Sequence, residues 1–192
     1  MIGDTQVRNR GTLGGSAVHA DPAADYPTVL LALEATFTAT SASGARDLAA
    51  ADFFKDIFTT ALKADEILTA VTVPAYNNLP NMGGCYLKHR HPASSYAVVG
   101  VAALVGLGKD GQVTRASICV GGVTGMPVRC AAAEQALTGQ APTTDNIAAA
   151  AAKVAGALKN PMSDTYASGE YRVHLATVLV KRALAKAAER AK

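Results

Sequence analysis

The order of strand-like and helix-like segments most constrains how this 192-residue chain can fold. Three apolar segments, GCYLKHRH, SYAVVGVAALVGLG and QVTRASICVGGV, are separated by turns, and the Asp110-Gly111 pair is typical of a tight hairpin. From Pro127 onwards the apolar residues recur with helical spacing instead. Because such helices must bury an apolar face, the sequence predicts a three-stranded antiparallel sheet covered by helices.

A group of shorter elements precedes this sheet. The sequence predicts a buried helix over 27–35, a hairpin over 36–50 and a strand in DEILTAVTVP, with a short turn of helix in ADFFKDIF. Pro, Asn and Gly then gather in AYNNLPNMGG, which favours a boundary between two units. We therefore expect an α+β chain with one unit at 1–80 and another at 81–192.

Composition argues against several classes of protein. Hydrophobic residues make up 49% of the chain and charged residues 17%, which leaves enough apolar surface to fold. The net charge is only +3, and the cations between Lys181 and Lys192 suit the end of a helix better than a nucleic-acid-binding arm. We expect no nucleic-acid partner, no signal peptide and no membrane span.

The spacing of the three cysteines indicates whether the protein resides in a reducing or an oxidising compartment. Cys85, Cys119 and Cys130 are widely spaced, odd in number and without any C-x-x-C pair. Neither a disulfide framework nor a zinc site is suggested by this spacing. We expect three reduced and mostly buried thiols in a cytoplasmic protein.

The stretch RNRGTLGGSAVHADPAAD, residues 8–25, combines backbone freedom with polar side chains. A glycine pair lets the backbone bend sharply, with a positive φ expected at Gly14, and exposes N–H groups that can donate to phosphate oxygens. Its spacing matches neither a Rossmann loop nor a P-loop, so an ordinary turn is the alternative. His19, Asp21 and Asp25 could hold sugar hydroxyls, although Asp25 is also well placed to cap the following helix.

The same stretch resembles the second flavin-binding motif in the FAD-binding medium subunit of molybdenum hydroxylases, the family of carbon monoxide dehydrogenase and xanthine dehydrogenase. The likeness continues through DEILTAVTVP, KHRHPASSYAVV, ICVGGVTGMPVRCAAAEQAL and EYRVHLATVLVKRAL, and so covers essentially the whole chain. It implies the second lobe of a vanillyl-alcohol-oxidase-type FAD-binding domain, followed by the sheet and helices. It also implies partners: an iron–sulfur small subunit and a molybdopterin large subunit, whose electrons pass through FAD to an external acceptor.

The resemblance also implies roles for individual residues. The residues near the diphosphate and the flavin-side backbone would be Gly11, Thr12, Gly14, Gly15 and Ser16, with His19 in the same motif. Asp25 would hold a ribityl or ribose hydroxyl, and Ile67 or Leu68 would pack near the adenine or the ring system. Lys88 would lie beside the isoalloxazine, where positive charge favours a reduced, anionic flavin.

Lys88 and the two neighbouring histidines have plainer alternatives. Lys88 could be an exposed strand residue with its stem along apolar surface. His89 and His91 share one face of a strand and could bind a metal ion, but no third ligand is near in the sequence. A surface position is therefore favoured for both histidines, and no metal site is expected.

The family's subunit has an earlier lobe with its own glycine-rich motif, whereas this sequence starts almost at the second motif. A ligand held between two walls loses much of its buried surface when one wall is absent. We therefore expect the isolated chain to bind FAD poorly and to be inactive, whether that lobe is cut away, encoded separately or lost. Its absence would leave apolar surface that invites self-association. The alternative function is a truncated, flavin-free scaffold or interaction subunit.

Overall fold

The computed structural model describes residues 2–76 and 81–192, so residues 77–80 of the predicted boundary segment lie outside the described chain. The described elements form an α+β arrangement of helices and antiparallel sheets, as the sequence predicts. None of the helices in these two ranges combines the length and the apolar content that crossing a bilayer requires.

Three short helices open the chain. They are α1 (Thr5–Arg10), α2 (Leu13–His19) and α3 (Asp25–Ala32). Thr12 caps α2, because its hydroxyl accepts a hydrogen bond of 2.9 Å from the N–H of Gly15. The predicted helix at Pro27 is present but begins two residues earlier, and the side chain of Asp25 does not cap it.

The first sheet and its neighbours follow α3. The elements are β1 (Thr36–Ser41), β2 (Gly44–Ala49), α4 (Ala50–Phe53), β3 (Phe54–Asp56), β4 (Thr59–Thr60) and β5 (Ile67–Thr72). Strands β2, β1 and β5 form one antiparallel sheet, which confirms the predicted hairpin and strand. Only the first part of ADFFKDIF is helical, because Phe54 already begins a strand. Phe53 stacks on Phe37 with ring centroids 4.0 Å apart, and these rings fill the first hydrophobic core.

The second sheet has four antiparallel strands and not the predicted three. In spatial order they are β6 (Met82–Arg90), β7 (Ala97–Leu107), β8 (Val113–Gly121) and β9 (Val128–Arg129). The sequence pattern assigns Val128 and Arg129 to the following helix, but they pair with Cys119 and Val120 of β8. A strand of two residues is too short to produce a recognisable alternation of apolar and polar positions.

Helices cover one face of this second sheet, as predicted. They are α5 (Ala131–Leu137), α6 (Thr144–Ala152) and α7 (Gly169–Arg190), with a 3₁₀ turn at Val154–Gly156. Helix α7 buries Val180 and Leu184, which are four residues apart and so lie on one face of the helix. Successive residues of β7 point to opposite faces, because Val101 and Ala103 lie in the core with α7 whereas Ala102 joins the first core.

Helix α3 packs against the other face of the second sheet and thereby connects the two cores. The Ser117 hydroxyl on β8 donates to the carbonyl of Ala32 at a distance of 2.8 Å. At Gly121 a Cβ atom would lie 2.0 Å from the hydroxyl oxygen of Thr28, so the helix approaches the strand too closely for a side chain there. The start of α3, which carries Asp25, is therefore fixed by the second sheet.

A group of charged residues joins the end of α3 to the second sheet. The carboxylate of Glu34 accepts a hydrogen bond of 2.8 Å from Arg129 and further bonds from Arg115 and Tyr76. Arg129 also donates to Glu134 at 2.9 Å. Burial alone would raise the pKa of Glu34, but the hydrogen bond from Arg129 and the charges of both arginines outweigh it and lower that pKa.

Candidate functional site

A cavity of about 590 Å³ lies among the first three helices. The described residues in its wall are Ile2, Gly3, Val7, Arg8, Arg10, Gly11, Thr12, Gly15, Ser16, His19, Asp21, Ala24, Asp25, Tyr26 and Tyr96. The wall therefore contains most of the polar loop that the sequence analysis singles out. Tyr96, which immediately precedes β7, is contributed by the second half of the chain.

The nine candidate site residues divide between this wall and its surroundings. Six of them lie in the wall, namely Gly11, Thr12, Gly15, Ser16, His19 and Asp25. The other three do not line it: Gly14 lies in the first turn of α2, Leu68 packs against the first hydrophobic core, and Lys88 is bonded to Asp25. Their contacts with a cofactor stay predictions.

The start of α2 presents polar groups to the cavity. The Thr12 carbonyl accepts from the N–H of Ser16 at 3.0 Å, and the Thr12 hydroxyl accepts from Gly15. The preceding N–H groups, those of Leu13 and Gly14, have no acceptor within a helix that starts at this point. They are therefore the groups that the helix leaves for an external acceptor such as a phosphate oxygen.

No neighbouring atom of the described chain requires a glycine at position 14. It lies in helical backbone and is not among the residues with positive φ, so the expected left-handed conformation at this position is wrong. A Cβ atom at Gly14 would meet no atom within 4 Å. At Gly15, in contrast, a Cβ atom would lie 2.8 Å from the Thr12 hydroxyl oxygen. The cap thus explains the second glycine of the pair, whereas the packing of the described chain does not explain the first.

Asp25 is held at the cavity by two residues of β6. One carboxylate oxygen accepts from the Lys88 ammonium at 2.7 Å and the other accepts from the Tyr86 hydroxyl. The side chains of Lys88 and Asp25 are only 5% and 6% exposed, so the alternative of an exposed lysine is wrong. Burial, followed by the charge of Asp25, raises the pKa of Tyr86 and keeps its hydroxyl protonated as a donor.

Two tyrosines at this site were missed by the sequence analysis. Tyr86 and Lys88 are two residues apart on β6, so their side chains lie on the same face of the strand. This spacing could have indicated that Tyr86 lies at the site beside Lys88. Tyr96 has no such local signal, because the fold alone brings it to the cavity. Burial raises the pKa of Tyr96, and the charges of Asp21, Asp4 and Asp25 add to the effect.

His89 and His91, which do not line the cavity, both lie against Tyr166. The ring of His91 lies 4.8 Å from that of Tyr166, and the His89 Nε2 atom is 3.4 Å from the same tyrosine's hydroxyl. Within residues 2–76 and 81–192, no group of three metal-ligating side chains comes together. His19, which does line the cavity, lies 4.9 Å from the ring of Phe58.

Two family models match the chain in succession. The FAD binding domain in molybdopterin dehydrogenase matches residues 1–76, and the CO dehydrogenase flavoprotein C-terminal domain matches residues 85–187. The first match contains the polar stretch of residues 8–25, and the second contains Tyr86 and Lys88, which hold Asp25.

Curated relatives extend the match over nearly the whole chain. The glyceraldehyde dehydrogenase medium chain of Sulfolobus acidocaldarius is 38% identical over 97% of this chain and 65% of its own length. The carbon monoxide dehydrogenase medium chain of Afipia carboxidovorans is 33% identical over 100% of this chain and 65% of its own. The chain thus spans less than two thirds of the length of these relatives.

Solved structures give the same result. Carbon monoxide dehydrogenase from Hydrogenophaga pseudoflava superposes with a TM-score of 0.92 at 34% identity, covering 98% of this chain and 64% of the other. Quinoline 2-oxidoreductase from Pseudomonas putida 86 superposes with a TM-score of 0.89 at 33% identity, covering 99% and 65%. The chain belongs to the family of FAD-binding medium subunits of molybdenum hydroxylases, of the carbon monoxide dehydrogenase flavoprotein type.

Proposed function

We propose that this chain is the FAD-binding electron-transfer component of a molybdenum hydroxylase-type oxidoreductase, with the FAD diphosphate at the start of α2. The observation that carries the proposal is the cavity of about 590 Å³, whose wall brings Thr12, Gly15 and Ser16 at the start of α2 together with Asp25. This space adjoins unpaired N–H groups at a helix start, the kind of site that suits an anion. The residues present therefore fit the diphosphate of the family's cofactor.

The roles of the wall residues follow from their donors and acceptors. The hydroxyl of Ser16, in the wall, would donate to the diphosphate. The N–H groups of Leu13 and Gly14, which do not line the cavity but belong to the same first turn of α2, would add further donors. The carboxylate of Asp25 would accept from a ribityl or ribose hydroxyl. Because Lys88 and Tyr86 hold both of its oxygens, Asp25 meets that hydroxyl in a fixed orientation. When bound, FAD supplies the electron-accepting and electron-donating chemistry.

The proposal includes the assembly and its location. We infer that residues 1–80 form the second lobe of a vanillyl-alcohol-oxidase-type FAD-binding domain and residues 81–192 a separate unit. An iron–sulfur small subunit would deliver electrons taken from the organic substrate at a molybdopterin large subunit, and an external acceptor would remove them. The relatives' names, which include a dehydrogenase complex subunit, support such an assembly. Three free thiols favour a reducing compartment such as the cytoplasm.

Flavin binding tests the proposal directly. The chain is titrated with FAD alone and after co-expression with the proposed small and large subunits, and bound flavin is read from its absorption. We expect Gly14→Val to weaken FAD binding at least about tenfold, which corresponds to about 1.4 kcal/mol. Gly156→Val is the matched control, because a Cβ atom there also meets nothing within 4 Å.

Two outcomes would contradict the proposal. Equal FAD affinity of the Gly14→Val and Gly156→Val variants would show that the diphosphate does not lie at the start of α2. A protein that stays colourless with FAD in both preparations would favour the flavin-free scaffold.

A further inference from the structure

The outward face of the last three turns of α7, together with Lys192 just after the helix, carries an excess of positive charge. The exposed cations, called the basic face below, are Lys181, Arg182, Lys186, Arg190 and Lys192. Glu189 is the one acidic residue between positions 181 and 192. This segment therefore carries a charge of +4, more than the net charge of +3 of the whole chain.

The basic face gathers five cations without an ion pair on one surface, whereas other unpaired cations, such as Lys55 and Lys109, lie on separate elements of the described chain. Arg46, Arg129 and Arg172, in contrast, each form an ion pair with an acidic side chain. Among the described residues, none of the cations of the basic face does so. Like charges one turn apart on a helix repel each other, so this arrangement costs stability in the free protein.

The helix dipole accounts for only part of this charge. Cations are favoured in the last turn of a helix, where the final carbonyl groups lack partners. Arg190 is in that position, and it donates to the Gly84 carbonyl at 2.6 Å. Lys181 and Arg182 precede it by about two turns, beyond the reach of this effect.

Two classes of anionic partner fit this face poorly. An interfacial helix inserts its apolar face into a lipid surface, but the apolar face of α7, including Val180 and Leu184, is buried against the second sheet. Surfaces that bind single-stranded nucleic acid interleave cations with aromatic rings, and residues 181–192 contain no aromatic residue.

A shallow depression on this face fits a side chain. Its volume is about 160 Å³, and Lys181 and Lys192 line it together with Ile147 and Ala185. Two lysine side chains beside apolar ones suit the carboxylate and methylene groups of a glutamate.

We propose that the basic face is the docking surface for an acidic patch on a partner protein. The partner's carboxylates supply the counter-charges that this chain lacks there, and one acidic side chain enters the depression between Lys181 and Lys192. Such complementarity speeds encounter and fixes orientation. The proposal does not depend on flavin binding.

A charge-reversal pair tests the surface with a defined probe, poly-L-glutamate. The variant Arg182→Glu/Lys186→Glu is compared with Lys55→Glu/Lys109→Glu, which alters the net charge equally at exposed lysines on other elements. We expect the wild-type and control proteins to bind the probe in a salt-sensitive way, and the basic-face variant to bind it at least about tenfold more weakly. Circular dichroism of all three proteins verifies that they are folded.

Equal weakening by the two variants would overturn the proposal, because net charge alone would then explain binding. Tighter binding of the wild-type protein to duplex DNA or to phosphatidylserine vesicles than to poly-L-glutamate would overturn it as well. In the purified native assembly, carbodiimide should cross-link Lys181, Lys186 or Lys192 to carboxylates of another chain. Cross-links at Lys55 or Lys109 but at none of these three would contradict the assignment.

Discussion

The Nζ atom of Lys88 lies 2.7 Å from the Oδ2 atom of Asp25, in a pair of side chains that are 5% and 6% exposed. Lys88 belongs to β6 and Asp25 is the first residue of α3, so this ion pair fixes a cavity carboxylate to the second sheet. Removing one partner of such a pair leaves a buried charge without its counter-charge.

Lys88→Met should therefore destabilise the protein by about 3 kcal/mol. Urea denaturation followed by circular dichroism measures the loss. The double variant Lys88→Met/Asp25→Asn should be more stable than Lys88→Met alone, because no unpaired carboxylate then remains and Tyr86 keeps an acceptor. A loss below about 1 kcal/mol for Lys88→Met would mean that the pair behaves as a solvent-exposed one.

Two substitutions at Glu34 separate the effect of backbone strain on stability from the effect of the side-chain charge. Its φ of +51° is costly for a residue with a Cβ atom, by about 1–2 kcal/mol. Glu34→Ala and Glu34→Gly both remove the hydrogen bonds from the arginines, but only glycine relieves the strain. We expect the glycine variant to be about 1 kcal/mol more stable than the alanine variant in urea denaturation. The reverse order would show that the left-handed conformation at this position carries no cost.

The ion pair of Arg46 and Glu66 should make the stability of the folded protein depend on pH in the acidic range. The hydrogen bond from Arg46, followed by the one from the N–H of Lys63, lowers the pKa of Glu66 from 4.5 to about 2. A carboxylate with a lowered pKa in the folded state stabilises the protein above its unfolded pKa, and this contribution is lost as the pH falls from 4.5 towards 2.

Urea midpoints measured across that pH range should therefore fall less steeply for Glu66→Gln than for the wild-type protein. Arg46→Met should flatten the profile in the same way, because it removes the partner of the same pair. Parallel profiles for all three proteins would contradict this assignment.

The thiols of Cys119 and Cys130 should be unreactive until the protein unfolds. Cys85, Cys119 and Cys130 are free and buried, which confirms the expectation from their spacing. Burial, followed by the charge of Glu134, raises the pKa of Cys130 to about 12 and also raises that of Cys119. Since the thiolate is the reactive form, Ellman's reagent at pH near 8 should label neither of these two residues in the native protein and all three in denaturant. Native labelling of Cys119 or Cys130 would contradict their burial.

The elements predicted correctly from the sequence are those that depend on near neighbours in the chain. The hairpin of β1 and β2 follows from alternation around one turn, and the buried face of α7 follows from helical spacing. The cap at Thr12 and the helical backbone of Gly14 were missed, because a glycine pair suits a bend as well as a helix start.

The interior of the candidate site depends on contacts between distant parts of the chain. The Tyr86 hydroxyl and the Asp25 carboxylate belong to residues 61 positions apart, and no local pattern indicates their pairing. A resemblance to a family locates Lys88 near the site, but it does not reveal that the ammonium group is already bonded to Asp25. Topology, and not periodicity, brings these groups together.

The polar loop of residues 8–25 is held in place by elements far from it in the chain. Helix α1 buries none of its residues and α2 buries only Ala17, so neither could hold a defined shape by itself. Helix α3 is anchored on β8 through Ser117 and Gly121. Ala17 and Ala20 also pack in the first hydrophobic core, so both halves of the chain hold the loop in place. A fragment that ends before β7 would keep the contacts with the first core but lose the support on which α3 rests.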